Sequence, residues 1–92
     1  MSETDIHEKR CNQFLDIQLQ GFKLFQKKNK DYGDAFAKFG PIGVIMRMGD
    51  KLSRLTNISK HNITLVSDET LEDTLNDLHN YTAMALMLLK EK

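Results

Sequence analysis

The chain has 92 residues, 40% of them hydrophobic and 28% charged, a composition that suits one small globular domain and excludes a disordered segment. Thirteen basic and thirteen acidic side chains cancel, so no net basic field draws it to a nucleic acid polymer or a membrane surface. Cys11 is the one cysteine, which excludes an intrachain disulfide framework and a thiol-rich zinc site.

The residues before Cys11 are polar and lack the apolar stretch of a signal peptide. The longest apolar run, residues 83–89, is too short to cross a bilayer. The expectation is a soluble, cytoplasmic protein. Its core is small, and chains of this length gain stability by oligomerising.

The first predicted helix covers about Asp5 to Asn29. Cys11, Phe14, Leu15, Leu19, Phe22 and Phe25 recur at helical spacing and predict its buried face, with Gly21 as a weak point. The segment from Lys27 to Asp34 is polar and carries Gly33, so the helix is expected to end there. Asp34 is placed to cap a short turn through Phe36 and Phe39, and Pro41 suits the first turn of a second helix.

That second helix is predicted over about 41–60. Ile45, Met48, Leu52 and Leu55 form its apolar stripe, and Arg47, Lys51 and Arg54 a basic one. Residues 61–68 read as a loop, with Ile63, Leu65 and Val66 turned inward. The third helix starts near Asp68 or Thr70, where Thr70 and Asp73 resemble a capping box. Leu71, Leu75, Leu78, Thr82, Ala85 and Leu89 form its predicted core seam. Tyr81, Met84 and Leu88 lie on a second apolar side, which predicts a subunit interface. With no strand pattern and no repeat, residues 1–92 form a single all-α domain: three antiparallel helices in a bundle completed by homo-oligomerisation.

Three side-chain groups have chemical potential. Glu69, Asp73 and Asp77 recur every four residues on the third helix; such carboxylates hold a hard cation such as Mg²⁺ or form a solvated face. Arg47, Lys51 and Arg54 bind phosphate or pair with the acidic stripe. Lys30, Asp31 and Tyr32, before Gly33, form either a base-stacking, phosphate-ordering turn or a simple turn around a buried tyrosine. His7, His61 and His79 share no metal-ligand spacing and are assigned to the surface. Cys11 is assigned to core packing.

Lys28–Phe36, the segment 40–55 with Lys51-x-x-Arg54, and Asp73-Thr-Leu-x-Asp-Leu-x-x-Tyr81 together resemble the family called nucleotide modification associated domain 1. That family is similar to the all-alpha nucleoside triphosphate pyrophosphohydrolases, the MazG and dimeric dUTPase-like group. The resemblance implies an oligomeric, nucleotide-handling protein of the kind phages and other viruses encode, acting in a host cytoplasm. It also implies Mg²⁺ held on a triphosphate by two acidic motifs. Asp77 matches the aspartate of the second motif and Asp73 is one residue out of step with its glutamate. Where the first motif has paired glutamates, this chain has Asp50, Lys51 and Arg54.

Two functions follow. One is a Mg²⁺-dependent (deoxy)nucleoside triphosphate pyrophosphohydrolase with Glu69, Asp73 and Asp77 as catalytic and metal-binding residues. The other is a non-catalytic protein that sequesters a nucleotide or cyclic nucleotide signal. In both, Lys30, Asp31, Tyr32, Arg47, Lys51 and Arg54 contact the nucleotide. A helical adaptor whose charged stripes are only solvated or paired is the structural alternative.

Overall fold

The structure is a computed structural model that describes residues 2–61 and 68–91, apart from the side chains of 59–61 and 68–70. Among them the chain is all-α, with three helices and one short turn of 3₁₀ helix.

Helix α1 spans Glu3–Tyr32. Ser2 caps it, its Oγ accepting the Asp5 N–H at 3.1 Å, and Glu3 and Asp5 complement the positive end of the helix. The helix continues into the polar segment that was expected to break it, because three of that segment's first four residues (Lys27, Lys28 and Lys30) are lysines, which are good helix formers. It stops at Gly33, whose N–H reaches Asn29 O at 2.7 Å. With φ 63° and ψ −146°, Gly33 occupies a backbone region essentially closed to other residues.

A 3₁₀ turn, η1, covers Ala35–Ala37. Asp34 precedes it as expected, but the carboxylate makes no capping bond. Helix α2 spans Gly40–His61 with Pro41 in its first turn, and α3 spans Asp68–Lys90. The inward turn of Ile63, Leu65 and Val66, and the Thr70 capping contact, lie outside what is described.

Helices α2 and α3 lie along one another. Val44 packs with Ala85 and Leu88 at one end, and Lys51 meets Asp77 further along, so the pair is antiparallel. Phe36, Ala37, Tyr81 and Met84 close over the Val44 cluster. The α2 seam is Val44, Met48, Lys51, Leu55 and Ile58, a four-three repeat. This differs from the expected stripe by about one position: Ile45 and Leu52 are exposed, while Val44 is 1% exposed.

A larger correction falls on α3. Tyr81, Met84 and Leu88, expected at a subunit interface, pack into the chain's own core. The expected core seam faces outward at Leu75, Thr82 and Leu89. Leucines on both sides make the periodicity alone ambiguous, and the partner helix decides which side is covered.

Helix α1 meets α3 near Gly21, the one buried residue of α1. The Asn80 amide donates to Gly21 O at 3.0 Å, and Asn80 Oδ1 is 2.9 Å from His79 Nδ1. A Cβ on Gly21 would lie 2.7 Å from Asn80 Oδ1. The glycine therefore lets the two helices touch. His79, expected at the surface, is half-buried at this crossing. Residues 3–20 are all exposed, including Cys11, Phe14, Leu15 and Leu19, which were expected in the core. Cys11 Sγ instead lies 3.6 Å from His7 Nε2 on the same helix. Among the described residues, no helix is long and apolar enough to cross a membrane.

Candidate functional site

Where α1 ends, the Gly33 turn folds η1 back beneath it. Phe36 on η1 meets Phe25 on α1 edge to face, ring centroids 6.0 Å apart at 78°. Between these rings and the C-terminal half of α3 lies a cleft of about 370 Å³. Its aromatic wall is Phe25, Tyr32, Phe36 and Tyr81; its polar lining is Lys28, Asn29 and Arg47. The size lies within the range of small-molecule sites, and the lining has their usual makeup, mostly apolar with a few placed polar groups.

Two features give the cleft chemical direction. The Asn29 Oδ1 is buried and has no hydrogen-bond partner among the described residues. A buried acceptor left unpaired is destabilising, which singles this atom out among the groups beside the cleft. Arg47 is exposed and makes no ion pair among the described residues, which leaves its fork available to a phosphate. Lys28 also lines the cleft, with Nζ 3.3 Å from Asp77 Oδ1.

The sequence-predicted residues divide. Tyr32 and Arg47 line the cleft, and Tyr32 is 74% exposed instead of buried in its turn. Lys30 and Asp31 are exposed and do not line it. Lys51 lies in the α2 seam and pairs with Asp77 Oδ2 at 3.0 Å. Arg54 is exposed and does not line the cleft. The pattern of the sequence missed Phe25, Lys28, Asn29, Phe36, Tyr81 and Met84. Each was legible only as a core or helix-end residue, because the cleft forms where four separate segments (α1, the η1 turn, α2 and α3) converge.

The expected carboxylate set has a different setting from a metal site. Both oxygens of Asp77 are engaged by lysines, from α1 and α2, and this positive charge opposes a divalent cation there. Asp73 is exposed, and the side chain of Glu69 lies outside those described. Among the described residues no three of His, Cys, Asp and Glu come together in a way that would hold a metal ion. The described residues do not fit Mg²⁺ at Asp77.

Residues 28–89 match the family described as nucleotide modification associated domain 1, well over half of the chain. The chain belongs to that family. The matched span of nucleotide modification associated domain 1 includes every cleft residue except Phe25 and leaves most of α1 outside. No curated protein and no solved structure matches the chain.

Proposed function

We propose that this protein binds a phosphorylated nucleotide in the α1–η1–α3 cleft and holds it without cleaving it. The observation that carries this reading is the cleft's lining: aromatic faces beside Arg47 and the buried Asn29 Oδ1, neither of which has an ion-pair or hydrogen-bond partner there among the described residues. Aromatic side chains stack bases of any sequence, Arg binds phosphate through its planar fork, and a lone carbonyl oxygen accepts from an exocyclic amine or ring N–H. The family to which the chain belongs, described as nucleotide modification associated, agrees with a nucleotide ligand.

The pyrophosphohydrolase reading needs a carboxylate set for Mg²⁺, and the lysines on Asp77 disfavour one there. Sequestration needs only the cleft. A cyclic nucleotide and a linear one both present a base and an anionic phosphate to it, the cyclic diester carrying less charge than a terminal phosphate.

The test is isothermal titration against a panel of mono-, di- and triphosphate and cyclic nucleotides, with and without Mg²⁺, followed by chromatography of the recovered ligand. Metal-independent binding with the ligand returned intact is expected. Arg47→Ala and Phe36→Ala should each weaken it about tenfold or more, the equivalent of ~1.4 kcal/mol. Absence of binding across the panel would refute the nucleotide reading, and release of pyrophosphate would replace sequestration by catalysis.

A further inference from the structure

The chain as a whole is neutral, yet the cleft is not. Lys28 from α1 and Arg47 from α2 line it, and among the described residues no carboxylate does. Opposing the charge of Lys28 falls to Asp77, at 3.3 Å, but the same carboxylate also holds Lys51, at 3.0 Å. One carboxylate cancels one cation, so this cluster keeps a surplus positive charge.

The geometry shows which lysine carries the surplus. Lys51 makes the shorter contact, its side chain is 24% exposed, and it stands in the seam between α2 and α3. Lys28 makes the longer contact and its side chain is 51% exposed. A charge-assisted N–H to carboxylate bond runs about 2.7–2.9 Å, so the Lys28 contact is loose. A half-exposed ion pair of this kind contributes little and is readily exchanged for another anion. The flexible stem of lysine and its three rotatable donors permit that exchange without movement of the helix.

The helical register puts this lysine beside Arg47. Arg47 precedes Lys51 by four residues on α2, and Tyr81 follows Asp77 by four on α3. In an antiparallel pair the Lys51–Asp77 contact therefore lies one turn from the level of Arg47 and Tyr81, which line the cleft. Lys28 reaches Asp77 from the cleft wall, so its head lies between the two levels. The cleft thus has a planar fork for one phosphate and a movable point charge for a second.

We infer that Lys28 is a second phosphate anchor, and that the cleft takes a nucleotide with two adjacent phosphates in preference to a monophosphate or a single phosphodiester. On arrival of the ligand, Lys28 leaves Asp77 for the phosphate that Arg47 does not hold. Asp77 keeps Lys51 and so remains paired. This inference rests on the cleft binding a nucleotide, and adds the ligand class.

The test is isothermal titration of the full chain in EDTA against the mono- and diphosphates of adenosine, guanosine, cytidine and uridine. For any base that binds, the diphosphate should bind about tenfold or more tightly than the monophosphate, equivalent to ~1.4 kcal/mol. Lys28→Met keeps the stem and removes the charge, and should bring the two within about twofold of one another. Lys28→Arg should restore most of the preference, and Arg47→Ala should weaken both ligands. The urea midpoint of Lys28→Met should stay close to that of the wild type, because the side chain is half-exposed. Equal wild-type affinities for mono- and diphosphate overturn the inference and leave the nucleotide reading standing. So does an equal weakening of both ligands by Lys28→Met, which would reduce the lysine to a general field. No binding of any nucleotide refutes the underlying reading, and the inference with it.

Discussion

Gly21 carries two opposing effects. In the middle of a 30-residue helix it is destabilising by about 1 kcal/mol relative to alanine, through backbone entropy. At the crossing with α3 it leaves room for Asn80 and His79, which a Cβ would meet at 2.7 and 2.8 Å. Asn80 is buried and tied to Gly21 O, so it has little freedom to retreat. The steric effect should win. Gly21→Ala is expected to destabilise by about 1–3 kcal/mol, read as a lower urea midpoint. A rise in the midpoint would mean the crossing gives way more easily than its hydrogen bonds imply.

Lys51 and Asp77 show how a charge can occupy a packing position. Lys51 sits where the four-three repeat of α2 calls for an apolar residue, with its head on Asp77 at 3.0 Å. Asp77 also serves Lys28, which is half-exposed and adds little. Removing Asp77 alone leaves the Lys51 ammonium partly buried beside apolar neighbours. Asp77→Ala should cost about 1–2 kcal/mol, less in ~0.5 M salt. In the Lys51→Met background the same change should cost measurably less, so a double-mutant cycle gives a coupling of about 0.5 kcal/mol or more. Strict additivity would show that the pair is only a surface contact.

At the scale of the element, the useful distinction is between covered and uncovered positions along the α2–α3 pair. Val44 and Leu88 lie in the seam between α2 and α3, while Leu52 faces away. Leu88→Ala removes buried methyls and leaves a cavity, at an expected loss of about 2–5 kcal/mol. Leu52→Ala is expected to change stability by about 0.5 kcal/mol or less. Thermal or urea unfolding of the two variants checks the register directly. Equal effects would mean that Leu52 is covered as fully as Leu88, as the sequence pattern of α2 predicts. Leucine and isoleucine occupy so many positions here that the 3.6 period admits both rotations.

For the whole molecule, the arm of α1 is the part without burial inside the chain, since residues 3–20 are all exposed. If residues 3–20 gain packing only from another copy, their amides should exchange faster on dilution, while α2 and α3 keep their protection. Hydrogen exchange at two protein concentrations separates this from an intrinsically stable arm, which would exchange equally at both. The cleft lies at the other end of α1, around Phe25 to Gly33, so nucleotide binding and arm packing are separable measurements.

The sequence by itself determined that the protein is all-α, approximately where three helices lie, and that Gly33 and Pro41 punctuate them. These follow from local backbone preferences and apolar period, which neighbouring residues impose on one another. It also pointed to the nucleotide modification associated domain 1 family, and it singled out Tyr32 and Arg47, which line the cleft. Only the tertiary structure decided which helical faces are buried, that Lys51 and Lys28 converge on Asp77, and that Phe25, Asn29, Phe36 and Tyr81 line one cleft. Those facts depend on the rotation and crossing of whole helices. A helix with leucines on two sides carries no local signal for choosing between them; contact with its neighbours makes the choice.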